Sequence, residues 1–456
     1  MRTIRIGAGQ GFYGDTLLPA IETAERGGIQ YLCFDSLAEL TLAILQKDRQ
    51  KDSTRGYAAD IPQTMRKLLP YVKEKGFKLL TNAGGMNPIA AGQEVIRIAR
   101  ELGLEGLKVA IVTGDDVLDQ LDRWRQQGIP LTHQEDGRSF ELVYDKILFA
   151  NAYLGSEPIV TALRQGADVV ITGRTTDSAL FLAPLIYEFN WQPDDWDRLG
   201  QGILMGHLME CSGQATGGNF SGDWATIEDM DRIGFPIAEM REDGEFVLTK
   251  TEGTGGLVSV DTVKEQLLYE IHDPSAYLTP DVVLDLQQVN LTNIGSNRVL
   301  VKGAKGTKRP DYLKVVMGYA DGWLGQAICG YSWPDALAKA QAADRIIRRQ
   351  IERIGLQAAK VQTDYLGYNS LHGPLATEPA QDLNEVFLRL AVRTDSKEEA
   401  AKLGRLFPPL MLNGPPSMGG FLGHMKPREL LGMWSCLVPR EVIESNVKVT
   451  VTEVRL

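Results

Sequence analysis

Cysteine is scarce. Four occur in 456 residues, Cys33, Cys211, Cys329 and Cys436, and no CxxC pair is present. Zinc-ribbon, zinc-finger and iron–sulfur readings therefore lose their usual support. So sparse a thiol set fits a reducing, cytoplasmic setting. Positive charge is short as well: 48 Lys+Arg stand against 59 Asp+Glu, a net charge of −11. A phosphate backbone is repelled by that balance, so nucleic acid is not an expected partner. No uninterrupted apolar run reaches the roughly 20 residues of a membrane helix, so no membrane partner is expected either. The start, MRTIRIGAGQ, lacks the apolar core and cleavage pattern of a signal peptide. A Walker A motif and a GxSxG elbow are both missing.

What remains is an ordinary globular composition, 43% hydrophobic and 23% charged. At roughly 150 residues per domain the length suggests two large domains or three small ones. It also suffices for a core without disulfides.

Residues 1–225 read as repeated strand-then-helix units. TIRIGAG, YLCFDS, FKLLTNAGG, LKVAIVTG and ADVVITGR are short apolar runs, each followed by a segment with helical spacing. Alternating β and α segments predict an α/β fold: a parallel sheet with helices on both faces. All strand carboxyl ends then lie along one edge, where such sheets bind ligands. That edge gathers Gly9 to Asp15, Asp35, Thr81 to Met86, Thr113 to Asp116 and Thr172 to Asp177. Residues 226–456 read differently, with longer alternating strands such as VVLDLQQVNL and VFLRLAVRTD around a long helix. They predict a second, α+β domain with antiparallel strands.

Several segments carry chemistry. Gly9-x-Gly11-x-x-Gly14 follows a strand and opens a helix, with Asp35 ending the next strand. This is the local layout of a dinucleotide fingerprint. Asp15, however, sits where a phosphate should go, and tight βα turns share the spacing. Thr81, Asn82, Gly84 and Gly85 form a second loop, whose amides either bind an anion or simply precede a helix capped by Asn87. Asp115 and Asp116 are adjacent carboxylates that cap a helix or hold a divalent cation. Arg174 suits a carboxylate or phosphate, and Asp177 either orients it or acts as a base.

The densest segment runs from Gly206 to Phe220. Cys211 lies four residues after His207, one helical turn, which makes it a candidate thiol nucleophile. Glu210 is a candidate general base if burial raises its pKa. Gly217, Gly218 and Asn219 offer donors to an oxyanion or phosphate. The plain alternative is a buried thiol, a capping histidine and a glycine-rich loop. Thr254–Gly256 and Asn413–Gly420 are weaker loop candidates, and His372 and His424 read as solvated loop histidines.

IRIGAGQGFYGD, YLCFDSLAELTLA, TNAGGMNP, LKVAIVTGDDVL, ADVVITGRTTDSALFLAPLIYEF and GHLMECSGQATGGNF, in that order, resemble the acyclic terpene utilisation (AtuA-type) family. The resemblance covers most of the first 225 residues and is looser beyond them. It implies a catabolic role linked to citronellol and geraniol breakdown, with branched acyl-CoA intermediates. It assigns no catalytic residues. Some members of the family carry a further small C-terminal domain. This sequence lacks the match, so a small partner subunit is an expectation, as is a homo-oligomer.

The leading expectation is a cytoplasmic lyase or hydratase acting next to the carbonyl of a small carboxylic acid or acyl-CoA, with CoA as part of the substrate. Arg174 and the amides of Gly84 and Gly85 hold the acid end, Glu210 or Asp177 moves the proton, and donors at Gly217 and Gly218 stabilise the enolate. Two alternatives stand beside it: acyl transfer or hydrolysis through Cys211, and a non-catalytic subunit of an acyl-CoA pathway complex.

Overall fold

The computed structural model describes residues 2–420 and 425–456. His424 lies outside them. The chain forms two compact units. The first comprises residues 1–142, 149–317 and 434–456, and the second residues 143–148 and 318–433.

The first unit is built on a ten-stranded sheet. Its strands are β1 (Thr3–Gln10), β2 (Tyr31–Phe34), β3 (Lys78–Thr81), β4 (Lys108–Thr113), β5 (Val169–Ile171), β6 (Pro236–Arg241), β7 (Phe246–Lys250), β8 (Asn290–Gly295), β9 (Arg298–Lys302) and β10 (Lys448–Glu453). The order is β8-β9-β7-β6-β1-β2-β3-β5-β4-β10. The five strands expected from the sequence, β1 to β5, pair in parallel at its centre. Most of their residues are buried, the exceptions lying at or near strand ends, as strands covered on both faces require.

Helices Leu18–Arg26, Ile61–Lys75 and Pro88–Glu101 supply Ala20, Leu68, Leu69, Val95 and Ile98 to one core with Leu32, Leu79 and Ile171. Helix Ile61–Lys75 has the strong amphipathic pattern of a surface helix, with Met65, Leu68, Leu69 and Val72 buried along one stripe. In sequence Pro62 and Pro70 carry the local signature of helix breakers. Pro62 in fact sits in the first turn, where its missing N–H has no intrahelical acceptor anyway.

The expected division at residue 225 falls inside the first unit. β6 pairs antiparallel with β1, and β7, β9 and β8 follow it outward. At the other edge β10 pairs antiparallel with β4. The alternating strands after residue 225 thus complete the open edges of the parallel sheet, covering backbone groups that would otherwise face water. The α+β pattern holds for the second unit. There, strand Glu385–Thr394 pairs antiparallel with Lys360–Leu366 on one side and with the long strand Tyr312–Ser332 on the other, and helix Ala336–Arg353 contributes Ala340, Ala343 and Ile347 to a core with Leu388 and Leu390. Among the described residues no helix is long and apolar enough to cross a membrane.

Close approach of the loops after β3 and β5 fixes one glycine. A Cβ on Gly84 would lie 2.4 Å from the Thr172 carbonyl oxygen, a backbone atom with little room to yield. Gly84→Ala is expected to lower unfolding stability by about 1–3 kcal/mol, read as a drop in urea midpoint with unchanged m-value. An unchanged midpoint would show that the two loops are not packed as described.

Candidate functional site

The carboxyl ends of the parallel strands do converge on one polar cluster. Arg174, in the loop after β5, is its cation and is 2% exposed. Its Nη1 donates to the Leu37 carbonyl and to Asp177 Oδ1 at 2.8 Å. Its guanidinium lies over the Tyr153 ring, 4.1 Å from the centroid, where the π face favours a cation. Tyr153 in turn donates to Glu39, which also meets Lys314 at 3.2 Å.

Asp35 directly follows β2 and accepts from Asn82 Nδ2 at 2.6 Å. Glu210 ends helix Trp196–Glu210 and lies 3.0 Å from His207 Nδ1. The loop after β1 is joined to the same place, for Asp15 accepts from Ser212 Oγ at 2.8 Å and from the Gly11 amide at 3.0 Å.

Electrostatics set the cluster apart. Burial, the charge of Asp177 and that of Glu210 push Asp35 well above the usual carboxylate range, while Arg174 and Asn82 pull it down. Burial, then Asp177 and Glu270, raise Glu210 in the same way. Burial raises Asp177 too, against the pull of Arg174. Glu39 goes the other way: the Tyr153 hydrogen bond and Arg174 outweigh its burial and bring it down to about 2. Two buried carboxyl groups, Asp35 and Glu210, and the half-buried Asp177 therefore have raised affinity for protons in the field of one permanently charged guanidinium.

Other expected residues find different roles. Thr81, Asn82 and Gly85 of the anion loop are tied to the protein: Asn82 Oδ1 accepts from the Ser36 amide, Thr81 Oγ1 accepts from the Ala83 amide, and the Gly85 amide donates to the Asn82 carbonyl. Asn87 caps the following helix through Ala90. Gly85 is instead required by its left-handed backbone, φ +53°.

Gly217 and Gly218 are not free donors either. Their amides bond the carbonyls of Gln214 and Gly213 within a 3₁₀ turn, and Asn219 reaches Gln214 Oε1. The fingerprint glycines are likewise accounted for by packing. A Cβ on Gly9 would strike the Phe34 ring at 2.4 Å, and one on Gly11 would strike the Cys211–Ser212 backbone at 2.8 Å. Gly14 turns at φ +92°. The loop's anion is Asp15 itself.

Asp115 and Asp116 do not act as a pair. Asp115 Oδ2 accepts from the Arg174 amide and from Asn151, whereas Asp116 goes to Arg49 at 3.1 Å. Among the described residues no group of three or more His, Cys, Asp and Glu is arranged to hold a metal. Nor do His207 and Cys211 face one another across a helical turn. The helix ends at Glu210, and Ser212 turns the chain at φ +45°. Burial and the nearby Glu210 push the Cys211 thiol up, away from the thiolate a nucleophile needs.

Tyr153, Glu39 and Tyr277 escaped the sequence reading. Tyr153 follows a strand, Ile147–Ala152, that the reading did not place. Glu39 looks like an ordinary first-turn helix acid. Tyr277 comes from a two-residue strand far along the chain.

The arrangement defines a mixed α/β protein with a cluster of carboxyl groups around a buried arginine at the carboxyl edge of a parallel sheet. The chain belongs to the acyclic terpene utilisation family (AtuA), whose model matches residues 4–449. That membership gives it a role in catabolism. No curated protein and no solved structure matches it.

Asp115 yields a test of the electrostatics. Burial raises its pKa from 3.8 to about 6. A raised folded pKa stabilises the protein fully below pH 3.8 and loses that stabilisation as pH rises through about 6. The two-unit shift corresponds to about 3 kcal/mol at most. Because one oxygen takes both hydrogen bonds, Asp115→Asn keeps them. The stability difference between wild type and variant, from urea unfolding at pH 4 to 7, should move in the variant's favour as pH rises. Parallel curves would contradict the raised value.

Proposed function

We propose that this chain is an acid–base enzyme, a lyase or hydratase that moves a proton beside the carbonyl of a small carboxylic acid or acyl-CoA thioester during acyclic terpenoid catabolism. One observation carries the reading: Asp35, Asp177 and Glu210 surround Arg174 at the sheet edge, each raised above its usual pKa. Burial and their mutual charge disfavour ionising all three together, which supports a site that pairs a proton holder with a base.

The roles divide by exposure. The Asp177 side chain is 33% exposed and ion-paired, which suits a base that meets substrate from solvent. Glu210 is 6% exposed and is the proton holder, hence the acid. Arg174 Nε is buried without a hydrogen-bond partner among the described residues, and is the donor left for a substrate oxygen. Tyr277, raised by burial and by the charges of Glu210 and Asp177, stands beside this acid. Oxyanion stabilisation passes from the glycine amides, which are engaged, to Arg174.

The thiol reading is the weaker one, because the Cys211 environment disfavours its anion. The homo-oligomer and a small partner subunit belong to the same proposal and are tested by mass measurement of native preparations.

A thermal-shift screen of branched acyl-CoA thioesters and short carboxylates selects the substrate, since ligands that bind only the folded state stabilise it. On that substrate Glu210→Gln is expected to lower turnover by roughly 10²- to 10⁴-fold, with Asp177→Asn similar and Cys211→Ser close to wild type. Wild-type turnover by folded Glu210→Gln would remove the assignment. An acyl adduct on Cys211 by mass spectrometry would replace it with the thiol reading.

A further inference from the structure

His207 stands directly behind Glu210. The two are three residues apart on helix Trp196–Glu210, His207 is 1% exposed, and Nδ1 lies 3.0 Å from Oε1. The other ring nitrogen, Nε2, is buried and has no hydrogen-bond partner among the described residues. Backbone hydrogen bonding from Leu267 and Gln266 favours the protonated ring, although Nε2 has no partner in strict hydrogen-bond geometry among the described residues. Gln266 itself is tied elsewhere, its Nε2 donating to the His207 carbonyl at 2.9 Å.

A carbonyl accepts and never donates. Backbone hydrogen bonds that favour the protonated ring come from acceptors, and with Nδ1 taken up by Glu210 the nitrogen left to carry a hydrogen toward them is Nε2. A neutral ring carrying its hydrogen at Nε2 has a bare Nδ1. The short contact to Oε1 then needs a hydrogen from the carboxyl side, because two acceptors 3.0 Å apart would repel. The alternative is a charged imidazolium against a carboxylate, both shut away from water. That costs two desolvations, and the His207 ring is indeed held below its ordinary pKa by burial.

We propose that His207 is a positioning residue: its bare Nδ1 accepts the proton carried by Glu210 and so fixes the rotamer of that carboxyl, leaving Oε2 turned toward the cluster. This inference rests on the acid role assigned to Glu210. It identifies what holds the acid loaded between turnovers. The remaining groups around Glu210 agree with a retained proton. Asp177 and Asp35 face it from the ends of the parallel strands, and Glu270 and Tyr269 from beyond helix Val260–Leu268. Tyr277 and Cys211 complete the set, and Arg174 is the single opposing charge.

The test needs no substrate. In the unliganded full chain with 15N-labelled histidine and 13C-labelled glutamate, the His207 ring at pH 7 is expected to show a protonated Nε2 and a bare Nδ1, with Glu210 as the neutral acid. His207→Asn offers an amide oxygen near the place of Nδ1 and should keep Glu210 protonated at pH 7. His207→Phe keeps a ring but no acceptor, and should lower the Glu210 midpoint by about one unit, a tenfold change in proton affinity. A doubly protonated ring beside an ionised Glu210, or a hydrogen on Nδ1, overturns the proposal. So does a Glu210 midpoint in His207→Phe equal to that of wild type. The wild-type spectrum decides the matter even where a variant fails to fold. Should the spectra agree with expectation while Glu210→Gln retains full turnover, the catalytic reading fails and the proton-sharing pair stands.

Discussion

Burying the guanidinium of Arg174 is the constraint around which the carboxyl edge of the sheet is arranged. A cation taken out of water is tolerated only with charge and hydrogen bonds to compensate. Here Asp177, the Leu37 carbonyl and the face of Tyr153 provide them, and Asp35 and Glu39 add charge at longer range. The compensation is uneven. Burial above all, with the charges of neighbouring carboxyl groups added to it, raises the proton affinity of Asp35, Asp177 and Glu210, and Arg174 offsets only part of that rise.

The parallel sheet makes this crowding possible. β1, β2, β3 and β5 run in one direction side by side, so the residues that follow them arrive at one rim. Glycines hold the rim tight. Gly11 lets the first loop touch the Cys211–Ser212 turn, and Gly173 lies where a Cβ would enter the Asp115 carboxylate at 2.3 Å. The same economy explains why so many expected donors are unavailable. A loop short enough to bring a side chain to the rim must satisfy its own amides internally, and the amides of Gly85, Gly217 and Gly218 do so.

Legibility in the sequence followed the range of the interaction. The five parallel strands were readable because each is a short apolar run with its own local signature, and their common direction follows from the alternation with helices. Arg174, Asp177 and Glu210 were readable because each lies at or near a strand or helix end. Tyr153, Glu39 and Tyr277 were not, because what marks them is the neighbour they meet across the fold. Of the edge strands, β7, β9 and β10 were legible as strands but assigned to a separate domain, and β6 was not marked at all, since period-two alternation says nothing about which sheet a strand joins.

The sequence by itself determined the α/β character of the first half, the edge where polar residues gather, and the family. Those depend on local periodicity and on ordered blocks of residues. Only the tertiary structure decided which groups at that edge remain chemically available. Asp116 was drawn off to Arg49, Asn82 was tied to the Ser36 amide, and His207 was turned toward Glu210 instead of Cys211. Proton affinity and hydrogen-bond availability depend on burial and on partners distant along the chain, and those quantities exist only once the chain has folded.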